Sequence, residues 1–143
     1  MSTGHKIAMS LRSAYLAMHR QTDASLAGDG VTADQFVLLA VLAEEDHITQ
    51  QTLARRASSD PNTVRAMLVL MEKRGLLVRG PHPSDGRARR VALTPKGRRA
   101  YARLFAVSQG VRQEIQGLFE PDETRRLIEF LERIHTHLGR RPR

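Results

Sequence analysis

Apolar residues recur at helical spacing along most of the chain, and this pattern predicts a mainly α-helical protein. Spacings of three and four residues place the apolar side chains of each segment on one face. Between the fourth and fifth segments, two short apolar runs bounded by glycine and proline are typical of strands. The pattern predicts helices over residues 5–27, 32–45, 49–57, 61–74, 95–118 and 121–139, and strands over 76–79 and 90–93.

Local signals mark where several of these helices begin and end. Thr32–Gln35 has the spacing of a capping box, in which two side chains bond each other's backbone N–H groups. Asp60–Pro61 and Thr94–Pro95 each place a capping residue before a proline at the first helical position. Gly110 lies inside the fifth segment, where it predicts a bend. The acidic end of the second helix, Glu44–Asp46, is unfavourable for the helix dipole, and nothing next to it in sequence explains it.

The segment Gln51–Gly97 combines two short helices, a turn of small polar residues and a hairpin with an arginine-rich loop. That order predicts a winged helix-turn-helix, with double-stranded DNA as the partner. The first turn of the fourth helix carries side chains suited to base edges and phosphates, although asparagine and threonine there are also ordinary capping residues. The candidate DNA contacts are Gln51, Ser59, Pro61, Asn62, Thr63 and Arg65 on the helices, and Arg87, Arg89 and Arg90 on the wing.

Positive charge is concentrated in the same segment. Between Thr49 and Arg99 the sequence has twelve Lys and Arg residues and three Asp and Glu residues, whereas the whole chain carries a formal net charge of +8. The rest of the chain therefore has a slight acidic excess. A coding bias would explain the preference for Arg over Lys, but it does not explain the clustering. A basic field confined to one part of a chain favours a polyanion as partner.

Composition argues against several other classes of protein. The chain has no Cys, which excludes disulfides, thiolate metal sites and thiol nucleophiles. None of the six His residues is paired at the spacing that puts two zinc ligands on one helix face. With no phosphate loop and no serine-nucleophile elbow either, we expect neither an enzyme nor a metal or cofactor. The longest apolar run, residues 36–43, is far shorter than the ~20 residues of a membrane span, so we expect a cytoplasmic protein without membrane contact.

The outer helices carry more apolar surface than a small winged lobe can cover. We therefore expect the first, fifth and sixth predicted helices to pack against a second copy, giving a homodimer. The alternative is that these helices wrap a single lobe within one chain. The predicted organisation is one domain over 1–143. It contains a winged helix-turn-helix lobe (32–99) and an α-helical dimerisation lobe built from the N- and C-terminal helices (5–27 and 95–139).

The sequence resembles the MarR family, the multiple-antibiotic-resistance type of bacterial transcription regulators. The likeness extends over essentially the whole chain. One departure is Gly86, which stands where the commonest family wing has an arginine; Arg89 and Arg90 are possible substitutes for that contact. The matching residues are Leu53–Ala54, Thr63–Val64, Leu70–Arg79, Asp85–Arg87 and Val91–Gly97.

The resemblance implies a dimer that binds a pseudo-palindromic operator, usually to repress, and that is released by a small, often phenolic or anionic, effector. Peroxide-sensing members use cysteine and urate-responsive members use a first-helix tryptophan; this chain has neither. The candidate effector contacts are Tyr15, His19 and Phe36, each of which is also an ordinary core or interface residue. We expect Asp85 to orient a neighbouring arginine or the loop backbone of the wing, where Arg87 suits a narrow minor groove. The alternative function is a ligand-insensitive architectural DNA-binding protein.

Overall fold

The computed structural model describes residues 1–81 and 89–139. By its contacts the chain divides into two compact units, Met1–Ser108 and the part that starts at Gln109. The predicted fold class, mainly α with a small β-wing, is confirmed. The elements are α1 (Thr3–Leu26), a 3₁₀ turn (Ala27–Asp29), α2 (Ala33–Glu44), β1 (Ile48–Thr49), α3 (Gln50–Arg56), α4 (Pro61–Lys73), β2 (Leu77–Pro81), β3 (Arg89–Leu93), α5 (Pro95–Val107), α6 (Gln109–Gly117) and α7 (Pro121–Gly139).

The sheet has three antiparallel strands in the order β1-β3-β2. The register between β2 and β3 runs from Leu77 opposite Leu93 to Pro81 opposite Arg89. Sequence patterning missed β1, which aligns Ile48 with Val91, because two residues are too few to show alternation. The helix expected over 49–57 begins one residue later, at Gln50, since Thr49 belongs to the strand and also caps α3 by accepting from the Thr52 N–H at 3.1 Å.

The core of the first unit is built from one face of each helix and the inner face of the sheet. It includes Leu26 at the end of α1, so this helix is anchored to the unit at its C-terminal end. The side chains with almost no exposure include Leu38, Leu39 and Leu42 of α2, Leu53 of α3, Val64, Leu68 and Met71 of α4, Leu77 and Val91 of the sheet, and Leu104 of α5.

The predicted helix starts at Thr32, Asp60 and Thr94 are all present. Thr32 and Gln35 form a complete capping box. Asp60 and Thr94 each accept the backbone N–H three residues on, and each precedes a proline in the first turn. These caps satisfy donors that the helix itself leaves unpaired, so three helix starts were readable from short sequence signals.

The fifth predicted helix is wrong as a single element. The chain leaves the helix at Ser108, and residues 95–118 form two helices, α5 and α6. Ser108 is buried, and both its N–H and its hydroxyl donate to the carbonyl of Leu104, at 3.0 and 2.7 Å. A serine that bonds the preceding turn, followed by Gly110, weakens the continuation of a helix. The interruption therefore lies two residues before the glycine that predicted a bend.

The acidic end of α2 finds its partners far along the chain. Arg56 of α3 donates to Glu45 at 2.9 Å and to Glu44 at 3.1 Å. Asp46 accepts the backbone N–H of Leu93 at 2.9 Å and pairs with Arg98 of α5. These acids therefore join α2 to α3, β3 and α5, which offsets their unfavourable position relative to the helix dipole.

The turn after α4 and the turn before α5 meet through their backbones. Gly75 has φ +76°, and the Leu76 carbonyl that follows it accepts the Thr94 N–H at 3.1 Å. The Thr94 hydroxyl donates to the Gly75 carbonyl at 2.6 Å. Gly97 lies so close that a Cβ placed on it would be 1.9 Å from the Leu76 carbonyl oxygen. A glycine is therefore required at this position.

The second unit consists of α6 and α7, and neither helix has a fully buried residue. Leu127 and Ile134 are half-buried, while other large apolar side chains on the unit remain open to solvent. The exposed set is Leu118, Phe119, Ile128, Phe130, Leu131 and Leu138.

Taken singly, none of the helices in the described ranges is long and apolar enough to cross a membrane. The pair made by α1 with its 3₁₀ turn and α2, bent by 85°, meets the length and composition criteria together. The α2 half of this pair contributes several core residues.

Candidate nucleic-acid interface

The helix-turn-helix is held by buried apolar residues and by the turn between α3 and α4. Leu53 and Ala54 of α3 and Val64 of α4 are almost completely buried. The turn closes through a hydrogen bond from the Ser59 N–H to the Ala54 carbonyl at 2.9 Å, and Ser58 takes a left-handed conformation with φ +52°. The packing fixes the angle at which α4 leaves the turn, so its outer face has a defined direction.

The first turn of α4 presents its polar side chains to solvent. Asn62, Thr63 and Arg65 are exposed, whereas Val64 between them is buried. The Asp60 carboxylate accepts from the Thr63 N–H at 3.1 Å and lies 3.3 Å from its hydroxyl. Thr63 is therefore engaged by the Asp60 cap, whereas Asn62 and Arg65 show no such contact with Asp60. Asn62 and Arg65 are three residues apart and share one helix face.

Two further predicted contacts surround this turn. Gln51 is exposed at the second position of α3, and Pro61 is exposed at the first position of α4. Ser59 is half-buried in the turn that joins the two helices. The helical residues predicted to contact DNA thus come from one short segment of the first unit.

On the wing, Arg89 and Arg90 lie at the start of β3, the central strand. Arg89 is exposed and faces Pro81 in the register; Arg90 is half-buried and lies between Gly80 of β2 and Thr49 of β1. Successive strand residues point to opposite faces, so the two arginines do not share one surface. Arg87 and Asp85 lie outside the described residues, and their roles stay predictions.

Sequence analysis missed an ion pair that ties the wing to α4. Arg79 of β2 donates from its backbone N–H and its guanidinium to Glu72 at 3.0 and 3.1 Å, and it reaches Gln50 of α3 at 3.4 Å. Only 14% of the Arg79 side chain is exposed. The hydrogen bond from the Arg79 side chain lowers the pKa of Glu72 below its ordinary 4.5. Desolvation raises this pKa, but its effect is the smaller of the two. The one available signal was that Glu72 is among only three acids in a strongly basic segment.

The three candidate effector contacts lie in two aromatic pairs. Tyr15 and His19 of α1 have ring centroids 5.5 Å apart, and Phe36 of α2 stacks on Tyr101 of α5 at 5.7 Å. His19 lies 3.2 Å from Asp23 and 3.3 Å from Asp34, which links α1 to the start of α2. Burial raises the pKa of the Tyr15 phenol, and these two carboxylates raise it further. The role of Tyr15, His19 and Phe36 in effector binding stays a prediction.

Across residues 1–81 and 89–139, no group of three or more His, Cys, Asp or Glu side chains is arranged to hold a metal ion. The described surface around the capped start of α4 is basic and carries side chains that can form hydrogen bonds.

The profile of a known protein family matches part of the chain. The sequence profile of the MarR family matches residues 31–88, the region that contains α2, the helix-turn-helix and the start of the wing. Over this region the chain resembles the MarR family. Its winged-helix fold is like that of MarR-type transcriptional regulators, to which it is similar.

Relatives and solved structures agree with this resemblance. The chain is 29% identical to the transcriptional regulator HosA of Escherichia coli O111:H- over 73% of this chain and 77% of that protein. It is 28% identical to a probable transcriptional regulator of Pseudomonas aeruginosa, with a TM-score of 0.78 over 90% and 96% of the two chains. It is also 28% identical to the transcriptional repressor CouR in a structure bound to a 23-mer DNA duplex, with a TM-score of 0.79 over 87% and 89% of the chains. These relatives are regulators, not enzymes.

Proposed function

We propose that this MarR-like protein is a homodimeric repressor that binds a pseudo-palindromic operator through the N-terminal turn of α4. The observation that carries the proposal is the capped start of α4, which presents Asn62 and Arg65 together on an open face. In helix-turn-helix proteins the N-terminal residues of the second helix contact base edges in the major groove. Asparagine pairs with adenine and arginine with guanine there, so both side chains suit direct reading of sequence.

Charge supports DNA as the partner of this face. The segment that contains α3, α4 and the wing holds the whole basic excess of the chain. The positive end of the α4 dipole lies at the same turn, where it favours a phosphate. Arg89, exposed at the base of the wing, adds a flanking cation. The neighbour CouR, 28% identical, is described as a repressor bound to a DNA duplex, which is consistent with this role.

The dimer is proposed from the apolar side chains that the described units leave open. Ile128, Leu131 and Leu138 of α7 are 50%, 42% and 56% exposed, and the helix has no fully buried residue. An apolar face of this extent on a soluble regulator is covered most simply by the same face of a second copy. Two-fold symmetry would then place two copies of α4 about one helical turn of DNA, ~10 base pairs, apart.

We propose that a small phenolic or anionic effector releases the repressor from its operator by contacting the region of Tyr15, His19 and Phe36. Tyr15 and His19 present a phenol and an imidazole at the side of α1, and His19 already joins α1 to α2 through Asp34. A ligand that competes for His19 would change this link between the helices. Binding would alter operator affinity only to the extent that it favours one arrangement of the helices over another.

The test measures sequence preference. A footprint on the promoter region nearest the protein's own coding sequence is expected to show one protected palindrome. Arg65→Ala is then expected to lose about 1–3 kcal/mol of binding free energy on that operator and far less on random DNA, as for a base contact. Arg12→Ala, which removes an exposed arginine of α1, is the matched control and is expected to change neither affinity.

Two results would contradict the proposal. Equal losses on operator and random DNA would reduce Arg65 to a phosphate contact. Uniform protection with only a salt-dependent affinity would favour the architectural DNA-binding alternative over the operator-specific regulator.

A further inference from the structure

A basic pocket lies in the first unit near the C-terminal end of α4, whereas the proposed DNA contact is at the N-terminal turn of this helix. Its volume is about 140 Å³. Three apolar residues line it, Val31, Leu76 and Ala100, which are 5%, 4% and 6% exposed. Its remaining lining residues are four cations: Arg74, Lys96, Arg99 and Arg103. None of these residues belongs to the candidate DNA contacts or to the candidate effector contacts.

Three of the four cations are held in place by groups that leave most of their charge uncompensated. The Arg74 guanidinium donates to the carbonyls of Gly30 at 2.7 Å and Asp29 at 3.2 Å. Lys96 Nζ donates to the Arg74 carbonyl at 2.7 Å. Arg103 pairs with the Asp29 carboxylate at 3.1 Å. Carbonyl partners orient a cation without neutralising it, so among these contacts a single carboxylate opposes three positive charges.

The start of α5 adds to the same field. Its first turn contains no acid, although acids are the favourable residues at a helix N-terminus. Lys96 stands at its second position, and Arg99 is exposed one turn further on. Cations at this end of a helix are unfavourable unless an anion lies between them. Both the side chains and the helix dipole therefore favour a negative charge in this pocket.

We propose that this pocket binds a compact phosphate-type oxyanion, either free phosphate or the phosphate group of a small metabolite. Its three arginines and one lysine are the kinds of side chain that recognise such groups. The volume is below the ~300–1,000 Å³ that is usual for sites of larger organic ligands, which favours a compact group. The apolar floor of Val31, Leu76 and Ala100 leaves the oxyanion to be recognised at the rim.

The position of the pocket separates it from the proposed DNA contact. Arg74 is the C-cap of α4, twelve residues beyond Asn62 in the first turn. At 1.5 Å per residue, the two positions are roughly 18 Å apart along the helix axis. A small anion is therefore favoured over the DNA backbone as the occupant.

The experiment measures thermal unfolding of the full-length protein in rising inorganic phosphate, with sodium chloride matched for ionic strength. Phosphate is expected to raise the Tm along a saturating curve, since a ligand of the native state stabilises it by mass action. Arg99→Ala, alone and combined with Arg103→Ala, is expected to weaken the apparent affinity about tenfold or more, as for loss of a charged hydrogen bond. Lys73→Ala is the matched control, because it removes a neighbouring exposed cation that does not line the pocket.

Glycerol 3-phosphate, titrated in parallel, distinguishes the two sources of the anion. Tighter binding of the ester supports a phosphorylated metabolite, and tighter binding of inorganic phosphate supports the free ion. A response that matches chloride, or that Arg99→Ala and Lys73→Ala reduce equally, would overturn the site and leave only a solvated basic face. If Arg99→Ala instead weakens operator binding in phosphate-free buffer as much as Arg65→Ala does, the patch contacts DNA and the proposal is wrong. Because phosphate binding is measured without DNA, it can fail or succeed independently of the proposed operator binding.

Discussion

Replacing Gly97 by alanine tests the backbone junction between the turn after α4 and the start of α5. In most helices a Gly→Ala change stabilises by about 0.4–1 kcal/mol, because alanine loses less backbone entropy on folding. At Gly97 the added Cβ would stand 1.9 Å from the Leu76 carbonyl oxygen, 2.9 Å from its carbon and 3.3 Å from a methyl group of Leu93. The structure therefore predicts the opposite sign.

The magnitude follows from the distance. A carbon and an oxygen in contact are ordinarily about 3.3 Å apart, so the two backbones must separate by roughly 1.4 Å. That displacement would break the 3.1 Å hydrogen bond from the Thr94 N–H to the same Leu76 carbonyl. Loss of the hydrogen bond costs about 0.5–1.5 kcal/mol and overpacking costs about 1–3 kcal/mol, so we expect about 2–4 kcal/mol of destabilisation. At about 4 °C per kcal/mol, the Tm falls by about 8–16 °C.

Urea and thermal unfolding followed by circular dichroism would measure this change at one fixed protein concentration. Gly110→Ala is the matched control, because an alanine Cβ there meets nothing within 4 Å in the described parts of the chain. It is expected to leave stability unchanged or raise it slightly. Equal stability of Gly97→Ala and the unmodified protein would refute the reasoning, since the close approach could then relax without cost.

Three other changes test separate features of the molecule. Asp60→Ala removes the cap of α4, so it is expected to cost about 1 kcal/mol of stability, measured by urea unfolding, and to weaken operator binding, measured by DNA titration. Asp60→Asn keeps a capping side chain and should retain most of the stability and most of the operator affinity. Glu72→Gln should destabilise at pH 7. Because Arg79 lowers the pKa of Glu72, the difference should begin to shrink near pH 4.5 and disappear as the pH falls through the lowered pKa of the folded state; a difference that does not shrink with falling pH would contradict this. Leu131→Glu with Ile134→Glu should lower the mass measured by light scattering or leave little folded protein, because charges at an apolar interface are costly; a compact monomer for the unmodified protein would exclude the dimer.

Much of the first unit could be predicted because its signals are local. The caps at Thr32, Asp60 and Thr94 depend on residues within one turn, and the apolar spacing that follows each cap is regular. The strand β1 could not be predicted, since its pairing with β3 depends on a partner far along the chain. The break at Ser108 was also missed, because a serine is compatible with a helix unless its surroundings bury it.

In the candidate site, the exposure of individual side chains could be predicted from the sequence, whereas contacts between residues on different elements could not. Exposure of Asn62 and Arg65 follows from the helical period once Val64 and Leu68 are assigned to the core. The contact of Arg79 with Glu72 joins a strand to a helix, and no periodicity relates the two residues. The same holds for the basic pocket, which brings residues from three separate segments to one place.

The short strand β1 has a consequence for how fast the protein reaches this structure. Its alignment with β3 joins residues about 40 positions apart, and α3 and α4 lie between them. Helices gain contacts locally and form early, whereas pairing across such a loop must first overcome the entropy of bringing its ends together. The helix-turn-helix can therefore collapse before the sheet that braces it is complete. Pairing of β1 with β3, rather than formation of α4, would limit the rate at which a newly made chain becomes competent to bind DNA.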